Sequence, residues 1–412
     1  MLAAIAIAAF TLSLAPKGSL GSRWLLIALG GASVFWVWRQ PAGERRDNVL
    51  PALAVLLSAL GLVTIARLSV DLAHRQVLWL GLSLALVIAL GETLDRFRRY
   101  ATYKYIWVLA SIVLFVLLAL FGQEVNGAKL WIRIGPVQYE PVELIKLFIV
   151  FFMAAYLAET GDVIAAAKPW SLRANARYLG PLFLGWGAST AILVLQHDLG
   201  MAALLLGTFA AMLYVATRRI DLIVAGGAIF AAVALWAVHH YPYVATRVAV
   251  WRNPSADPLG HGYQTLQGLF ALAGGGLFGA GYGLGHPSYI PDAPTDYILA
   301  AWAEDFGALG ACVLLAAFAL VVRRSFLAAE RQPDLYAKLL LCGLAATLAF
   351  QVCIIVGGVL GAFPLTGITL PFFSYGGSSL VANFLLVSLV WAVGAERRHV
   401  ARAIEQTERG TT

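Results

Sequence analysis

Carboxylates that could do chemistry stand where long apolar segments meet polar loops. Asp296 follows Thr295 at the end of a polar loop, and an apolar stretch begins directly after it. A carboxylate at such a boundary loses part of its hydration, which raises its pKa toward the range that a general base needs. Thr295 and Asp296 could instead only cap the helix that follows. The sequence leaves both roles open.

Glu143 and Lys146 stand three residues apart at the start of another apolar stretch, in the segment EPVELIKL. This spacing places both side chains on one face of a helix, where they can pair. Each charge would cost about 2.5 to 3.5 kcal/mol at the centre of a lone membrane helix, so we expect the pair to face protein or a wet cavity. The alternative is an interfacial salt bridge that only orients the helix.

Asp198 lies at a tight turn between two apolar stretches, in the segment LQHDLG. Its carboxylate could face a site, or it could accept backbone N–H bonds as the cap of the next helix. The turn favours neither role, and we keep Asp198 as a candidate for the cavity.

The longest polar stretch covers residues 239–296. Gln264 and Gln267 have helical spacing there, which predicts a short amphipathic helix at the membrane surface. A run of glycines follows and includes Gly275 and Gly276. Backbone N–H groups of such a loop can bind phosphate, but no Gly-Lys-Ser/Thr follows, which excludes a nucleotide P-loop.

The segment GAFPLTGITLPFFSYGGSSL, residues 361–380, contains prolines and glycines that interrupt any helix. Irregular backbone at membrane depth is tolerated only where protein covers it or where it lines a cavity. We therefore predict a re-entrant element that forms part of a site, with Ser374, Gly376 and Ser378 as candidate residues.

The elements that must position these residues are membrane-spanning helices. Of 412 residues, 60% are hydrophobic and 12% are charged, whereas soluble domains carry about 25% charged residues. Apolar runs recur that are long enough to cross the ~30 Å hydrocarbon core. The sequence predicts an all-α polytopic membrane protein with about twelve transmembrane helices, over roughly residues 2–15, 22–38, 50–68, 75–94, 105–121, 142–158, 178–196, 198–217, 219–238, 297–322, 336–362 and 376–395.

The net charge of +7 could suggest nucleic acid, but the basic residues lie between helices rather than on one face. Most of the 29 Lys and Arg residues fall in alternate connections. The positive-inside rule then places both termini in the cytoplasm and residues 239–296 in a large extracytoplasmic loop. The candidate acids converge on the outer face of the membrane.

Five segments together resemble the SEDS family (RodA/FtsW/SpoVE) of cell-shape and division proteins. They are NGAKLWIR with PVELIK, LQHDLG, YQTLQGLFALAGGGLFGAGYG, IPDAPTDYILAAWAEDFG and LPFFSYGGSSL, in the family's order and spacing. The resemblance implies a ten-helix core over residues 50–395. Residues 1–49 would add two N-terminal helices and a linker, and residues 396–412 would form a cytoplasmic tail.

The resemblance also implies an activity, the polymerisation of lipid II at the outer face of the bacterial cytoplasmic (inner) membrane. It aligns Asp296 with the family's proposed catalytic aspartate, and Glu143 and Lys146 with its acidic-lysine pair. Glu140 departs from the family, since that position is commonly Gln. The partners implied are lipid II, the lipid-linked glycan, membrane lipids and a class B penicillin-binding protein (transpeptidase).

The implied reaction is an inverting glycosyl transfer with undecaprenyl pyrophosphate as the leaving group. A base must take the proton of the attacking 4-hydroxyl, and positive charge must stabilise the departing pyrophosphate. Asp296 suits the first role, and Lys129, Arg133, Lys146 and Arg247 are candidates for the second. The sequence shows no dedicated metal site, and it leaves open whether a divalent cation, Mg or Mn, assists.

Two other functions would use the same cavity and charges. A transporter or lipid II flippase would alternate its access between the two leaflets and needs no base on the outer face. A scaffold that only recruits a transpeptidase would not need its outer carboxylates. Elongation, division and sporulation are equally open as the process served.

Overall fold

The structure is a computed structural model that describes residues 44–90, 93, 96–125, 128–135, 137–167, 177–182, 187 and 198–397. The two N-terminal helices predicted within residues 1–49 lie outside this part of the chain. So do most of the helix predicted at 178–196 and all but the start of the predicted tail at 396–412.

The described chain is mostly helical, which confirms the all-α class that the sequence predicted. The described helices are α1 (Val49–Leu68), α2 (Val70–Ala89), α3 (Arg98–Thr102), α4 (Lys104–Phe121), α5 (Val142–Ala166), α6 (Leu199–Thr217), α7 (Ile220–His240), α8 (Pro242–Arg252), α9 (Tyr263–Gly275), α10 (Ile298–Glu330), α11 (Leu335–Val359) and α12 (Gly377–Val393). Seven of these described helices are long and apolar enough to cross a membrane, namely α1, α2, α4, α6, α7, α10 and α11, and α12 is a shorter apolar helix.

Helices α5 and α11 form the centre of the bundle. Helix α5 packs against α4, α6 and α11, and α11 also packs against α6 and α10. Helix α12 packs mainly against α2. The centre is therefore enclosed by other helices, which is where side chains such as Lys146 can avoid lipid.

A small antiparallel sheet replaces the loop expected between α4 and α5. Its strands are β2 (Gln123–Val125), β3 (Ala128–Ile134) and β4 (Val137–Tyr139), in the order β2-β3-β4. Side chains two apart on a strand share a face, so Trp131 and Arg133 of β3 point the same way. Two short strands, β1 (Glu44–Arg45) and β5 (Glu396–Arg397), pair with each other.

Helix α2 begins five residues earlier than predicted, at Val70 rather than residue 75. Ser69 caps it by accepting a hydrogen bond from the Leu72 backbone N–H at 3.4 Å. Polar residues in its first turns hid this start, because they made the segment resemble a loop. Arg75 and Gln76 therefore lie in the second turn of the helix rather than at its start.

The predicted loop of residues 239–296 is not a plain loop. Helix α7 continues to His240, and α8 follows with Pro242 in its first turn, where the missing N–H of proline costs nothing. Helix α9, which the spacing of Gln264 and Gln267 predicted, is confirmed.

The glycine-rich segment after α9 pairs with the backbone of α10 at a kink. Gly307 has φ +70°, and the N–H groups of Ala280 and Gly281 donate to the carbonyls of Glu304 and Asp305 at 2.9 and 3.1 Å. A Cβ at Gly275 would collide with the Ala303 carbonyl. Close contact between two backbones thus explains Gly275 without any ligand.

Candidate active site

A cavity of about 1040 Å³ lies where the loop before α10, the irregular segment before α12 and the first turns of α5 and α6 meet. Helix α2, strand β3 and helix α8 complete its wall. Its charged lining residues are Arg75, Arg133, Glu140, Glu143, Asp198, Arg247, Asp292 and Asp296.

Asp296 reaches the cavity and does not cap α10. Tyr297 is the N-cap residue, and no side chain caps this helix. The simple capping role considered for Asp296 is therefore wrong. Partial burial raises the pKa of Asp296 to about 6, and the charge of Asp292 adds to this, while Arg247 and Thr295 act in the opposite direction.

Hydrogen bonds from the irregular segment hold the Asp296 loop in place. Ser374 Oγ donates to the Thr295 carbonyl at 2.6 Å, and the Tyr375 N–H donates to the Pro294 carbonyl at 2.8 Å. Ser374 is itself held by α2, because Gln76 Nε2 donates to its carbonyl at 3.2 Å. Ser374 does not line the cavity, but it fixes the residue that precedes Asp296.

Arg247 lies near Asp296, with Gly367 beside both side chains. A methyl group at Gly367 would lie 3.8 Å from Arg247 Nη2 and 3.9 Å from Asp296 Oδ2. Arg247 Nη1 donates to the Leu365 carbonyl at 3.1 Å, and its guanidinium lies over the Tyr243 ring. These contacts fix a cation near the carboxylate.

Glu143 and Lys146 form the predicted pair, with 2.5 Å between Lys146 Nζ and Glu143 Oε2. Lys146 is fully buried and also donates to Gln351 Oε1 at 2.9 Å. Gln351 in turn donates to the Thr369 carbonyl at 3.0 Å. Glu143 faces the cavity, whereas Lys146 lies behind it and ties α5 to α11.

Asp198 combines the two roles that the sequence left open. Its Oδ1 accepts a hydrogen bond from the Met201 N–H at 2.9 Å, so it caps α6, and it also lines the cavity. Burial raises the pKa of Asp198 to about 6, although the Met201 N–H and the charge of Arg247 oppose the rise.

Thr295, Gly376, Ser378 and Arg133 also line the cavity, as predicted. Other predicted residues do not. Gln264 contacts the neighbouring loop by donating to the Pro291 carbonyl at 3.1 Å. The cavity lining does not include Gln267, Gly275, Gly276 or Lys146, and the side chain of Lys129 lies outside the described structure.

Several cavity residues were not predicted from the sequence. Arg75 and Trp79 lie one helical turn apart on α2, and Trp131 shares a strand face with Arg133. The signal for Arg75 was a single arginine in an apolar helix, which by default faces a cavity rather than lipid. The strand alternation of AKLWIRI could have indicated Trp131.

A second cavity, of about 620 Å³, lies between α6, α7, α8 and α11. Its lining is almost entirely apolar, and it shares Tyr243, Arg247 and Thr366 with the first cavity. The polar cavity thus adjoins an apolar one, with a guanidinium at their boundary. Such a pair of cavities suits a molecule with a charged head and a hydrocarbon tail.

Within the part of the chain that the structure describes, no three His, Cys, Asp or Glu side chains are placed to hold a metal ion together.

The chain is similar to known proteins over most of its length. A sequence profile of the FtsW, RodA and SpoVE cell cycle proteins matches residues 47–399. The peptidoglycan glycosyltransferase RodA of Mycobacterium tuberculosis is 38% identical over 369 residues, which cover 85% of this chain and 79% of that protein.

Solved structures are similar over the same region. The crystal structure of the rod shape determining protein RodA of Thermus thermophilus has 31% identity and a TM-score of 0.63, and the match covers 86% of this chain and 98% of that one. A chain from a peptidoglycan synthase complex that coordinates polymerization and crosslinking has 32% identity and a TM-score of 0.70, over 85% of this chain and 97% of that one. The chain is a multi-pass membrane protein, and it belongs to the FtsW/RodA/SpoVE family of cell cycle proteins.

Proposed function

We propose that this chain is a peptidoglycan glycosyltransferase that polymerises lipid II into glycan strands. The observation that carries the proposal is the position of Asp296, half-buried and free of any capping role, on a polar cavity that adjoins an apolar one. A lipid-linked sugar needs both environments. The 38% identical RodA of M. tuberculosis is named for this activity.

In the proposed reaction, the Asp296 carboxylate takes the proton of the 4-hydroxyl of a GlcNAc on lipid II. That oxygen then forms a bond to the anomeric carbon of the growing strand, and the bond from this carbon to undecaprenyl pyrophosphate breaks. The pyrophosphate leaves with the electron pair, and the configuration inverts. Arg247, Arg133 and Arg75 supply the positive charge at the cavity wall.

Lys146 is not among these cations, because its ammonium group is buried against Glu143 and Gln351. The sequence had placed it with the charges that stabilise pyrophosphate. Its ion pair with Glu143 and its hydrogen bond to Gln351 instead stabilise the cavity wall from behind.

We also propose Mg or Mn as a cofactor. Measuring polymerisation while a chelator is titrated into the assay tests this proposal.

The tests of this function separate it from transport and from scaffolding. Purified protein given lipid II should form glycan polymer, which gel electrophoresis resolves by length. A flippase would move labelled lipid II between leaflets of proteoliposomes without forming polymer. A scaffold would do neither, and its outer carboxylates could be replaced without effect.

We further propose twelve membrane crossings, with both termini in the cytoplasm and residues 239–296 outside. A cysteine at Ser255, exposed between α8 and α9, should react with an impermeant thiol reagent added to intact cells. The matched control is a cysteine at Thr102, exposed in α3, which should stay unlabelled until cells are opened. Labelling of Thr102 alone in intact cells would reverse the orientation.

A single-pass class B penicillin-binding protein is the proposed partner. Only 17% and 11% of the residues in the apolar windows of α4 and α7 are buried, so these helices have apolar faces open to lipid or to a partner helix. A similar chain occurs in a peptidoglycan synthase complex. Affinity purification from native membranes should recover such a transpeptidase, and full activity of the chain alone would exclude an obligatory partner.

Polymerisation should fall as the pH drops through about 6, because the ionised Asp296 is the active form. Asp198 titrates in the same range, so the acidic limb of the pH–rate profile, where the rate falls at low pH, belongs to both carboxyls together. The Asp198→Asn variant should keep a limb near 6 from Asp296 alone. A pH–rate profile measures this, and a limb near the ordinary aspartate value of 3.8 would argue against Asp296 as the base.

A further inference from the structure

Glu140 occupies the cavity wall between β4 and α5. Its backbone N–H donates to Ser378 Oγ at 2.8 Å, which fixes it against the first turn of α12. Its side chain lines the cavity, as do those of Glu143, Asp198 and Asp296. Asp292 lines the same cavity but is exposed, so four of its five carboxyl groups are buried or half-buried.

Two cations, Lys146 and Arg247, compensate the charges of the other three carboxyls. Lys146 pairs with Glu143 at 2.5 Å. Arg247 lowers the pKa of both Asp198 and Asp296. In the part of the chain that the structure describes, no hydrogen bond or ion pair involves the Glu140 carboxyl. Of the four, Glu140 has the least compensation for a negative charge.

Carboxylates that share an enclosed site do not all ionise in the neutral range, and the least compensated group keeps its proton. Burial raises the pKa of Glu140 well above its ordinary value. The charges of Glu143 and Asp198 raise it further, and Lys146 opposes them. The position of Glu140 and the charges around it both indicate that Glu140 is the carboxyl that keeps its proton.

We propose that Glu140 is protonated at neutral pH and donates a hydrogen bond to the diphosphate of the lipid-linked substrate, so that substrate binding depends on this proton. The proposal rests on the proposed function, since it names a contact for that substrate. A protonated carboxyl offers an O–H donor, whereas the ionised form only accepts and repels an anion.

The direction of the pH dependence follows from this. The donor is present below the raised pKa of Glu140 and is lost as the pH rises through it. Affinity for a diphosphate lipid should therefore fall by up to about tenfold per pH unit above that point. Asp198 and Asp296 titrate near 6. The other charged groups that face the cavity, or lie directly behind its wall, are Arg75 on α2, Arg133 on β3, Glu143 and Lys146 on α5, Arg247 on α8, and Asp292 in the loop before α10.

The experiment measures lipid II binding by the purified full chain with Asp296→Asn, which prevents turnover. Kd is measured over a pH series that rises from neutral, with Glu140 present and with Glu140→Gln. Glutamine keeps an N–H donor at every pH. With Glu140 present, Kd should rise at least about tenfold, and with Glu140→Gln this rise should vanish.

Asp292→Asn is the matched control, because it removes a carboxylate from the exposed rim of the same cavity. The rise of Kd with pH should persist in that variant. An equal rise of Kd with and without Glu140→Gln would overturn the proposal. A second readout is infrared absorption of a protonated carboxyl at neutral pH, which should be lost in Glu140→Gln, and its persistence there would also count against the proposal.

The outcomes separate this proposal from the proposed function. Lipid II that binds with the same Kd across the pH range overturns the Glu140 contact alone. Failure of every variant to bind lipid II overturns both. Normal polymerisation by Asp296→Asn removes Asp296 as the base, while the pH dependence of binding still decides the role of Glu140.

Discussion

Replacement of Lys146 by alanine should destabilise the protein by about 3 to 5 kcal/mol. The ammonium group is fully buried, and its removal leaves the Glu143 carboxylate, 2% exposed, without its partner. Gln351 also loses the group that donates to its Oε1. The expected result is a large drop in thermal stability and in folded yield, measured by fluorescence-detected size-exclusion chromatography in detergent.

Lys104→Ala is the matched control, because Lys104 pairs with a Glu159 that is 58% exposed. An exposed pair contributes about 0 to 1 kcal/mol, so this variant should retain nearly the native stability. The double variant Glu143→Gln, Lys146→Met removes both buried charges and should recover part of the loss. Native stability of Lys146→Ala would show that water reaches the pair.

Helix periods and helix ends allowed much of the fold to be predicted. Helices α1, α4, α6 and α11 begin within one residue of the predicted positions, because long apolar runs end sharply at polar or glycine residues. The spacing of Glu143 and Lys146 likewise predicted their contact. Local pattern is sufficient where the partner lies on the same helix.

The cavity wall was harder to predict, because it joins residues far apart in the chain. Gln76 and Ser374 are separated by 298 residues, yet their hydrogen bond fixes the loop that carries Asp296. Gly275 looked like a phosphate-binding residue because sequence alone does not show the α10 backbone that lies against it. A glycine in the sequence indicates that another group packs closely against the backbone there, but it does not identify that group.

The role of Glu140 could not be predicted from the sequence either. Its sequence position, just before Pro141, suggests an ordinary residue ahead of a helix. Only the meeting of α5, α6 and the Asp296 loop places it with four other carboxyls. Its chemistry therefore depends on tertiary contacts rather than on its own segment.

Asp296→Asn is expected to abolish most of the activity while leaving the fold and lipid II binding intact. Asparagine has the size of aspartate, and α10 has no side-chain cap for it to disturb. The amide does not accept a proton, so the loss should be at least the ~10² to 10⁴-fold typical of general acid-base catalysis. Arg75, Arg133 and Arg247 remain to bind the pyrophosphate.

Asp292→Asn is the control for charge in the same loop. Asp292 has φ +50°, a conformation that asparagine also tolerates, so the loop should keep its shape. Its carboxylate is exposed and lines the rim of the cavity, and its replacement should have a milder effect on the rate. The contrast between the two variants separates proton transfer from the general loss of a negative charge.

The most direct measurement is the rate at which purified Asp296→Asn converts lipid II into glycan polymer, relative to the unaltered chain at saturating lipid II. A loss of at least ~10²-fold with lipid II still bound is the predicted result. A rate near that of the unaltered chain would contradict the assignment of Asp296 as the base, and Asp198, the other cavity aspartate with a raised pKa, would become the next candidate.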